Sequence, residues 1–224
     1  MVLEAQQIVA PLPWQQSQWQ SLMDRFNQDH LPHALLIRGE KGCGKGQLAM
    51  ALAQFLLCDH PVASMACGRC KGCHLIAGGS HPDLTIVEAA AEGKVIKVDQ
   101  VREVVSFVSK KSQLNGYRVV IISPAEAMNT NASNALLKSL EEPGERTILI
   151  LVSHQVSRLL ATIRSRCQVI NCPVPANDEA MQWLNQVVDD ESKASQLLSV
   201  AAGAPLKALG LNQSEWLGER DQIL

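Results

Sequence analysis

The sequence predicts an α/β fold: a parallel five-stranded sheet flanked by helices, interrupted by a small cysteine-rich insertion and followed by a helical module. Three observations predict it. Short apolar runs alternate with segments of helical periodicity through the first 172 residues, the order that βα units produce. Two of the runs, 117–122 (YRVVII) and 147–152 (TILILV), are apolar with little interruption, as strands covered on both faces are. A glycine-rich turn at 39–46 leaves one run and enters a helical segment, the strand, loop and helix order of phosphate-binding folds.

Each element follows from its own pattern. From residue 14 to about 28, Trp19, Leu22, Met23 and Phe26 recur at i, i+3, i+4 and i+7, which predicts an amphipathic helix. Ala34–Arg38 (ALLIR) ends in the glycine-rich turn and reads as the first strand, and 45–57 resumes helical spacing through Leu48, Leu52, Phe55 and Leu56. Residues 58–81 are rich in cysteine, glycine and histidine, with little aliphatic periodicity, and read as an insertion. Leu84–Glu88 predicts a second strand, and Asp99 is placed as the cap of a helix whose Val101, Val104, Val105 and Val108 line one face. A helix containing 134–142 separates the two strongly apolar runs, and one over 159–163 precedes a fifth strand, Gln168–Asn171. The prolines of 172–177 (CPVPAN) mark a linker, so the α/β domain is assigned to 1–172. Beyond it, Trp183, Leu184, Val187, Leu197, Leu198 and Val200 predict a small helical domain over 173–224, with Pro205 opening its last helix.

Composition narrows the function classes. Hydrophobic residues make up 46% of the 224 positions and charged residues 19%, with 20 bases against 22 acids, which describes an ordinary folded protein and not a disordered tail. A net charge of −2 argues against a chain that grips nucleic acid alone over a broad surface, because phosphate binding by counterion release calls for a basic domain. Any DNA contact is expected to be local and shared with partners. No basic start leads into an apolar run, and no stretch approaches the roughly 20 apolar residues that span a bilayer, so a cytoplasmic location without a membrane partner is expected. In a reducing compartment, seven cysteines are poorly explained by disulfides.

Gly39, Gly42, Gly44 and Lys45 fit the G-x-x-x-x-G-K pattern of a phosphate loop, but Gly46 stands where Ser or Thr should follow the lysine. Backbone N–H groups at the helix start could cradle phosphate, with Lys45 meeting the terminal phosphates. The missing hydroxyl normally helps hold Mg²⁺. The second metal ligand in such sites is an acid ending a later strand. Here the run ends Ile121-Ile122-Ser123-Pro124, and Glu126 follows the proline, outside the strand end. With both metal-binding groups lost, the expectation is weak nucleotide binding at most, without turnover.

Cys58, Cys67, Cys70 and Cys73 occur as C-x8-C-x2-C-x2-C, enough thiolates for a closed tetrahedral zinc site with no open position and therefore a structural role. Two plainer readings compete: disulfides, or replacement of one cysteine ligand by His60, His74 or His81. Cys43, Cys167 and Cys172 lie outside the spacing and read as buried or incidental. Ser165-Arg166-Cys167 falls between the 159–163 helix and the last strand. Alone it carries little, since a surface arginine is usually solvated or loosely paired.

Taken with 134–143 (NALLKSLEEP), the phosphate-loop remnant, the four-cysteine insertion and Ser165-Arg166-Cys167 resemble the delta prime family of bacterial clamp-loader subunits, related to the tau/gamma motor subunits of the same complexes. The resemblance runs from about residue 14 to 210 with the motif order kept. It implies an AAA+ domain, a helical lid and a C-terminal collar domain, for which 224 residues leave no room, so the chain is expected to be an N-terminal piece lacking the collar. It implies further that Arg166 acts in trans, reaching the γ-phosphate of ATP in an adjacent tau/gamma subunit. The implied partners are the tau/gamma and delta subunits, the sliding clamp indirectly, and primer-template DNA within the complex. A motor subunit would show Ser or Thr at position 46 and Asp-Glu at 123 and 124, whereas this sequence has Gly46, Ser123 and Pro124. The expectation is thus a subunit of a DNA polymerase holoenzyme that is not an enzyme alone. Its rivals are an active AAA+ ATPase and a zinc-dependent nucleic-acid-binding module, the second disfavoured because the insertion offers only Arg69 and Lys71 to phosphates.

Overall fold

Each apolar run of the first domain forms a strand: β1 Ala34–Arg38, β2 Leu84–Glu88, β3 Arg118–Ser123, β4 Thr147–Ser153 and β5 Gln168–Asn171. They make one parallel sheet in the order β2-β3-β4-β1-β5. The structure, a computed structural model, describes residues 8–91, 93–114 and 116–213. The helices among them are α1 Gln16–Asn27, α2 Lys45–Leu56, α3 Lys71–Ala77, α4 Val98–Val108, α5 Thr130–Glu141, α6 Ala161–Arg164, α7 Asn177–Leu184, α8 Glu191–Val200 and α9 Pro205–Gln213.

Successive side chains of a strand leave opposite faces, and the sheet uses both. Leu35, Ile37, Val119, Ile121, Ile150 and Val152 pack with α1 and α2 in one layer. Leu36, Val120, Ile122, Leu149 and Leu151 pack with α4 and α5 in the other. This double cover explains why β3 and β4 are apolar at adjacent positions: every residue of β4 is buried. The fold is the doubly wound one that the alternation predicts.

Several boundaries differ from the sequence pattern for identifiable reasons. The first helix begins only at Gln16, because Pro13–Gln15 is a 3-10 turn that directs Trp14 and Gln15 inward. Asp99 does not cap α4. The helix starts at Val98, Lys97 is its N-cap residue, and the Gln100 side chain accepts the Lys97 N–H at 3.0 Å. Asp99 sits in the first turn and pairs with Arg102 at 2.9 Å. The insertion contains α3, which no aliphatic stripe announced because its buried residues are Gly72, Cys73 and Ile76. The helix expected over 159–163 divides into a 3-10 turn, Val156–Arg158, and α6.

After the 172–177 linker, α7, α8 and α9 enclose a separate small core of Ala180, Leu184, Val188, Ala194, Leu197, Leu198, Ala201 and Ala208. Asp190 caps α8, accepting the Lys193 N–H at 3.1 Å. Val187 and Val200, expected in this core, are 46% and 37% exposed. Val187 follows the end of α7, and the inward positions fall to Val188 and Ala201. Residues 1–7 of the expected α/β domain and 214–224 of the expected helical domain lie outside the described residues.

Candidate functional site

The loop between β1 and α2 is built on three glycines with no substitute, the first being Gly39, where a Cβ would lie 2.0 Å from Cys172 O. Gly42 and Gly44 have φ of 94° and 81°, the left-handed region that side chains avoid. A Cβ on Gly44 would lie 2.2 Å from Leu12 Cδ1, and one on Gly42 2.8 Å from the main-chain N of Lys207. The loop is therefore approached on one side by the residues preceding α1 and on the other by the start of α9.

Its carbonyls are tied down by both neighbours. Trp14 Nε1 donates to Cys43 O at 3.1 Å, and Gln15 Nε2 donates to Cys43 O at 3.0 Å and Gly44 O at 2.9 Å. The Leu206 N–H donates to Gly42 O at 3.0 Å. Lys45 is 2% exposed, and its Nζ donates to Glu40 O at 2.6 Å. Burial pulls the Lys45 ammonium below its ordinary pKa, partly offset by neighbouring acidic groups, Glu126 and Glu40 among them. The lysine that would meet phosphates thus caps its own loop.

Glu126 follows the β3 end in a 3-10 turn, Ala125–Ala127, after a cis Ser123–Pro124 bond. The sequence placed it outside the strand end, and from there its charge favours the ammonium form of Lys45. Its Oε1 accepts the N–H groups of His154 at 2.9 Å and Gln155 at 3.1 Å, just past β4. The site therefore holds a lysine and an acid. One oxygen of the acid accepts main-chain N–H groups, its Oε2 is buried without a hydrogen-bond partner among the described residues, and Gly46 offers no hydroxyl. Trp14, Gln15 and Lys207 had no signal in the sequence as parts of this site, because only the tertiary fold brings them there.

The four cysteines of the insertion converge. All four Sγ atoms lie within 4.8 Å of one another, and Cys58 and Cys70 are 3.8 Å apart. A tetrahedron of sulfurs with Zn–S near 2.3 Å has edges of about 3.8 Å, so the donor set fits zinc. Among the described residues the group contains no histidine, and the cysteines are free thiols. Main-chain N–H groups aim at the sulfurs: Cys67 N at Cys58 Sγ (3.2 Å), with Asp59 N and Cys73 N each 3.4 Å from Cys70 Sγ. These are the donors that thiolates need. His81 is instead buried, its Nδ1 accepting from the Asp83 N–H at 3.1 Å. Cys43, Cys167 and Cys172 are buried, and burial raises each thiol, the last two to about 11.

Arg166 lies between α6 and β5, 34% exposed at its side chain. Its Nε donates to Glu141 Oε1 at 2.8 Å, its Nη2 reaches the same oxygen, and its Nη1 donates to Thr162 O at 2.9 Å. β1 and β5 run parallel, with Arg38 opposite Asn171. The phosphate loop follows the far end of β1, whereas Arg166 precedes the near end of β5, and four strand residues at about 3.3 Å each separate the two by more than about 13 Å. Arg166 and Lys45 thus sit at opposite ends of the sheet.

A parallel sheet in this order, with a glycine-rich turn after its first strand and helices α7 to α9 following the sheet, defines an AAA+-type fold. Solved structures share the fold: a DNA polymerase III gamma subunit-related protein of Thermotoga maritima, 24% identical over 87% of this chain and 58% of its own, has a TM-score of 0.61. The RuvB Holliday junction branch migration motor of Thermotoga maritima, 14% identical over 95% of this chain and 65% of its own, reaches 0.57. Residues 14–175 match the family model described as DNA polymerase III, delta subunit. The DNA polymerase III subunit delta' of Pseudomonas aeruginosa is 46% identical over 95% of the chain, and that of Escherichia coli 35% over 91%. The chain belongs to the DNA polymerase III delta' subunit family. It spans 64% and 61% of the length of those two relatives. The tau subunit of Bacillus subtilis is also similar, 30% identical over 85% of this chain and 34% of its own length.

Proposed function

We propose that the chain acts as a clamp-loader subunit of the DNA polymerase III holoenzyme, a non-hydrolysing stator. It supplies Arg166 in trans to ATP bound by an adjacent tau/gamma-type subunit and helps load the sliding clamp on primed DNA. The observation that carries this reading is the separation of Arg166 from the chain's own phosphate loop by the length of β5 and β1. An arginine on the exposed edge of such a domain meets phosphate only on a neighbouring chain. Family membership supports the setting. Lys45 held by Glu40 O, and Gly46 in place of a hydroxyl that would help hold Mg²⁺, support a site that does not turn ATP over. In this reading zinc on Cys58, Cys67, Cys70 and Cys73 holds the insertion together and takes no part in chemistry.

The test is Arg166→Ala in the full-length protein, reconstituted with its partner subunits. Single-turnover hydrolysis at the adjacent ATP site should fall by about 10³-fold or more, the size of a trans-arginine contribution, with assembly intact. Hydrolysis at the wild-type rate would overturn the reading.

A further inference from the structure

Glu141, the last residue of α5, meets an arginine 25 residues further along the chain. Its Oε1 accepts from both Nε and Nη2 of Arg166, while Nη1 is held by Thr162 O at 2.9 Å. The contact from Nη1 to Ser165 Oγ, at 3.5 Å, is at the outer limit of a hydrogen bond. A guanidinium carries five N–H donors in a rigid fork. One edge of the fork is thus gripped by a carboxylate oxygen and Nη1 by a main-chain carbonyl, and since each Nη carries two N–H groups, Nη1 and Nη2 each retain a second donor. The two grips hang from fixed points. Leu140, beside Glu141, is 1% exposed and its carbonyl lies 2.9 Å from His33 Nε2, while Ile163, beside Thr162, is fully buried.

We propose that Glu141 is a positioning residue for Arg166: it holds the Nε–Nη2 edge so that the remaining Nη donors of the guanidinium are presented to a phosphate on a neighbouring chain. The inference rests on the trans-arginine reading above. An unrestrained arginine samples many rotamers and must give them up on meeting the transferring phosphoryl group; an arginine already clamped has little left to lose, which lowers the barrier without any new contact to the nucleotide. Both side chains stay partly open to solvent, 34% for Arg166 and 49% for Glu141, so the pair remains accessible to an incoming anion. The 134–143 segment and Ser165-Arg166-Cys167, separate in the sequence, become one device.

The experiment places Glu141→Ala and Glu141→Gln in the full-length protein, each alone and combined with Arg166→Ala, in the reconstituted complex, and reads single-turnover ATP hydrolysis. Glu141→Ala should lower the saturating single-turnover rate constant by roughly 10- to 100-fold, the scale of a small misplacement of a catalytic group, with the ATP dependence of that rate near wild type. Glu141→Gln keeps a carbonyl acceptor for the same N–H groups and should retain most of the rate. On the Arg166→Ala background neither substitution should lower the rate further. A Glu141→Ala rate at or above wild type, with Arg166→Ala still deficient, would leave the arginine reading standing and overturn the positioning role. An equal loss from Glu141→Ala on the Arg166→Ala background would assign Glu141 to general stability and overturn it as well. A wild-type rate in Arg166→Ala would remove the reading on which both depend.

Discussion

Asp83 and Arg118 are 0% and 2% exposed and face each other at 3.0 Å. Burial alone would raise the Asp83 carboxyl, but the N–H groups of Gln113 and Leu114, the Ser112 hydroxyl and Arg118 together hold it below its ordinary value. Arg118 also donates to Phe107 O and Lys111 O and lies 4.4 Å from the centre of the Phe107 ring. The network fastens the end of α4 and the loop after it to the sheet. Because the folded pKa is depressed, its stabilisation is complete above the unfolded value of about 3.9 and is lost as pH falls through the folded pKa. Unfolding free energy from urea titrations should therefore decline below about pH 4, and Asp83→Asn should flatten that decline. The same substitution strands a buried guanidinium, and at pH 7 the expected loss is about 3–5 kcal/mol. Equal urea midpoints for wild type and variant would contradict it. Nothing in the sequence paired these residues, since 35 positions separate them and only the parallel register of β2 and β3 brings them together.

At the scale of elements, legibility follows the kind of residue that does the packing. Strands β1, β3 and β4 were readable because they bury Val, Ile and Leu on consecutive residues, whereas β2 and β5 each bury a single residue, Val87 and Ile170. The four-cysteine site was readable from spacing alone, whereas α3 inside it was not, because cysteine and glycine make most of its buried face. Cys70 is also its N-cap, with its sulfur 3.4 Å from the Cys73 N–H, so helix and metal site share atoms. Removing zinc with a chelator, or Cys70→Ser, should release α3 from hydrogen-exchange protection while the sheet stays protected, since zinc binding contributes on the order of 10 kcal/mol to such small units. Protection of α3 that survives demetallation would show that the insertion folds without the metal. The glycine-rich turn was readable as a loop, but not as a joint. Gly42→Ala would set a Cβ 2.6 Å from Lys207 Cβ at a φ of 94°, and backbone strain of this kind costs about 1–3 kcal/mol. We expect a lower Tm and a change in tryptophan fluorescence, because Trp14 and Trp183 stack edge to face at 5.6 Å across the same joint.

For the whole molecule, the fold class was legible and the closure of the site was not. Alternating strands and helices imply a doubly wound sheet, but periodicity carries no record of which distant segments meet over a loop. Here the segment before α1 and the start of α9 converge on the phosphate loop through Gln15, Trp14 and Leu206. Nucleotide entry would require Lys45 to leave Glu40 O, and a metal ion would find Gly46 in place of a hydroxyl, with Oε2 of Glu126 the oxygen of that acid left without a hydrogen-bond partner among the described residues. The lysine contact opposes binding, and the missing hydroxyl opposes turnover more than binding, because Mg²⁺ is what neutralises the charge that develops during phosphoryl transfer. A fluorescent ATP analogue with Mg²⁺ should therefore bind the purified protein no more tightly than about 1 mM, a standard free energy of only about −4 kcal/mol, with no phosphate released from ATP. Lys45→Ala should leave both results unchanged. Sustained release that Lys45→Ala abolishes would mean that the loop opens and finds its metal ligands elsewhere, making the chain a motor and not a stator.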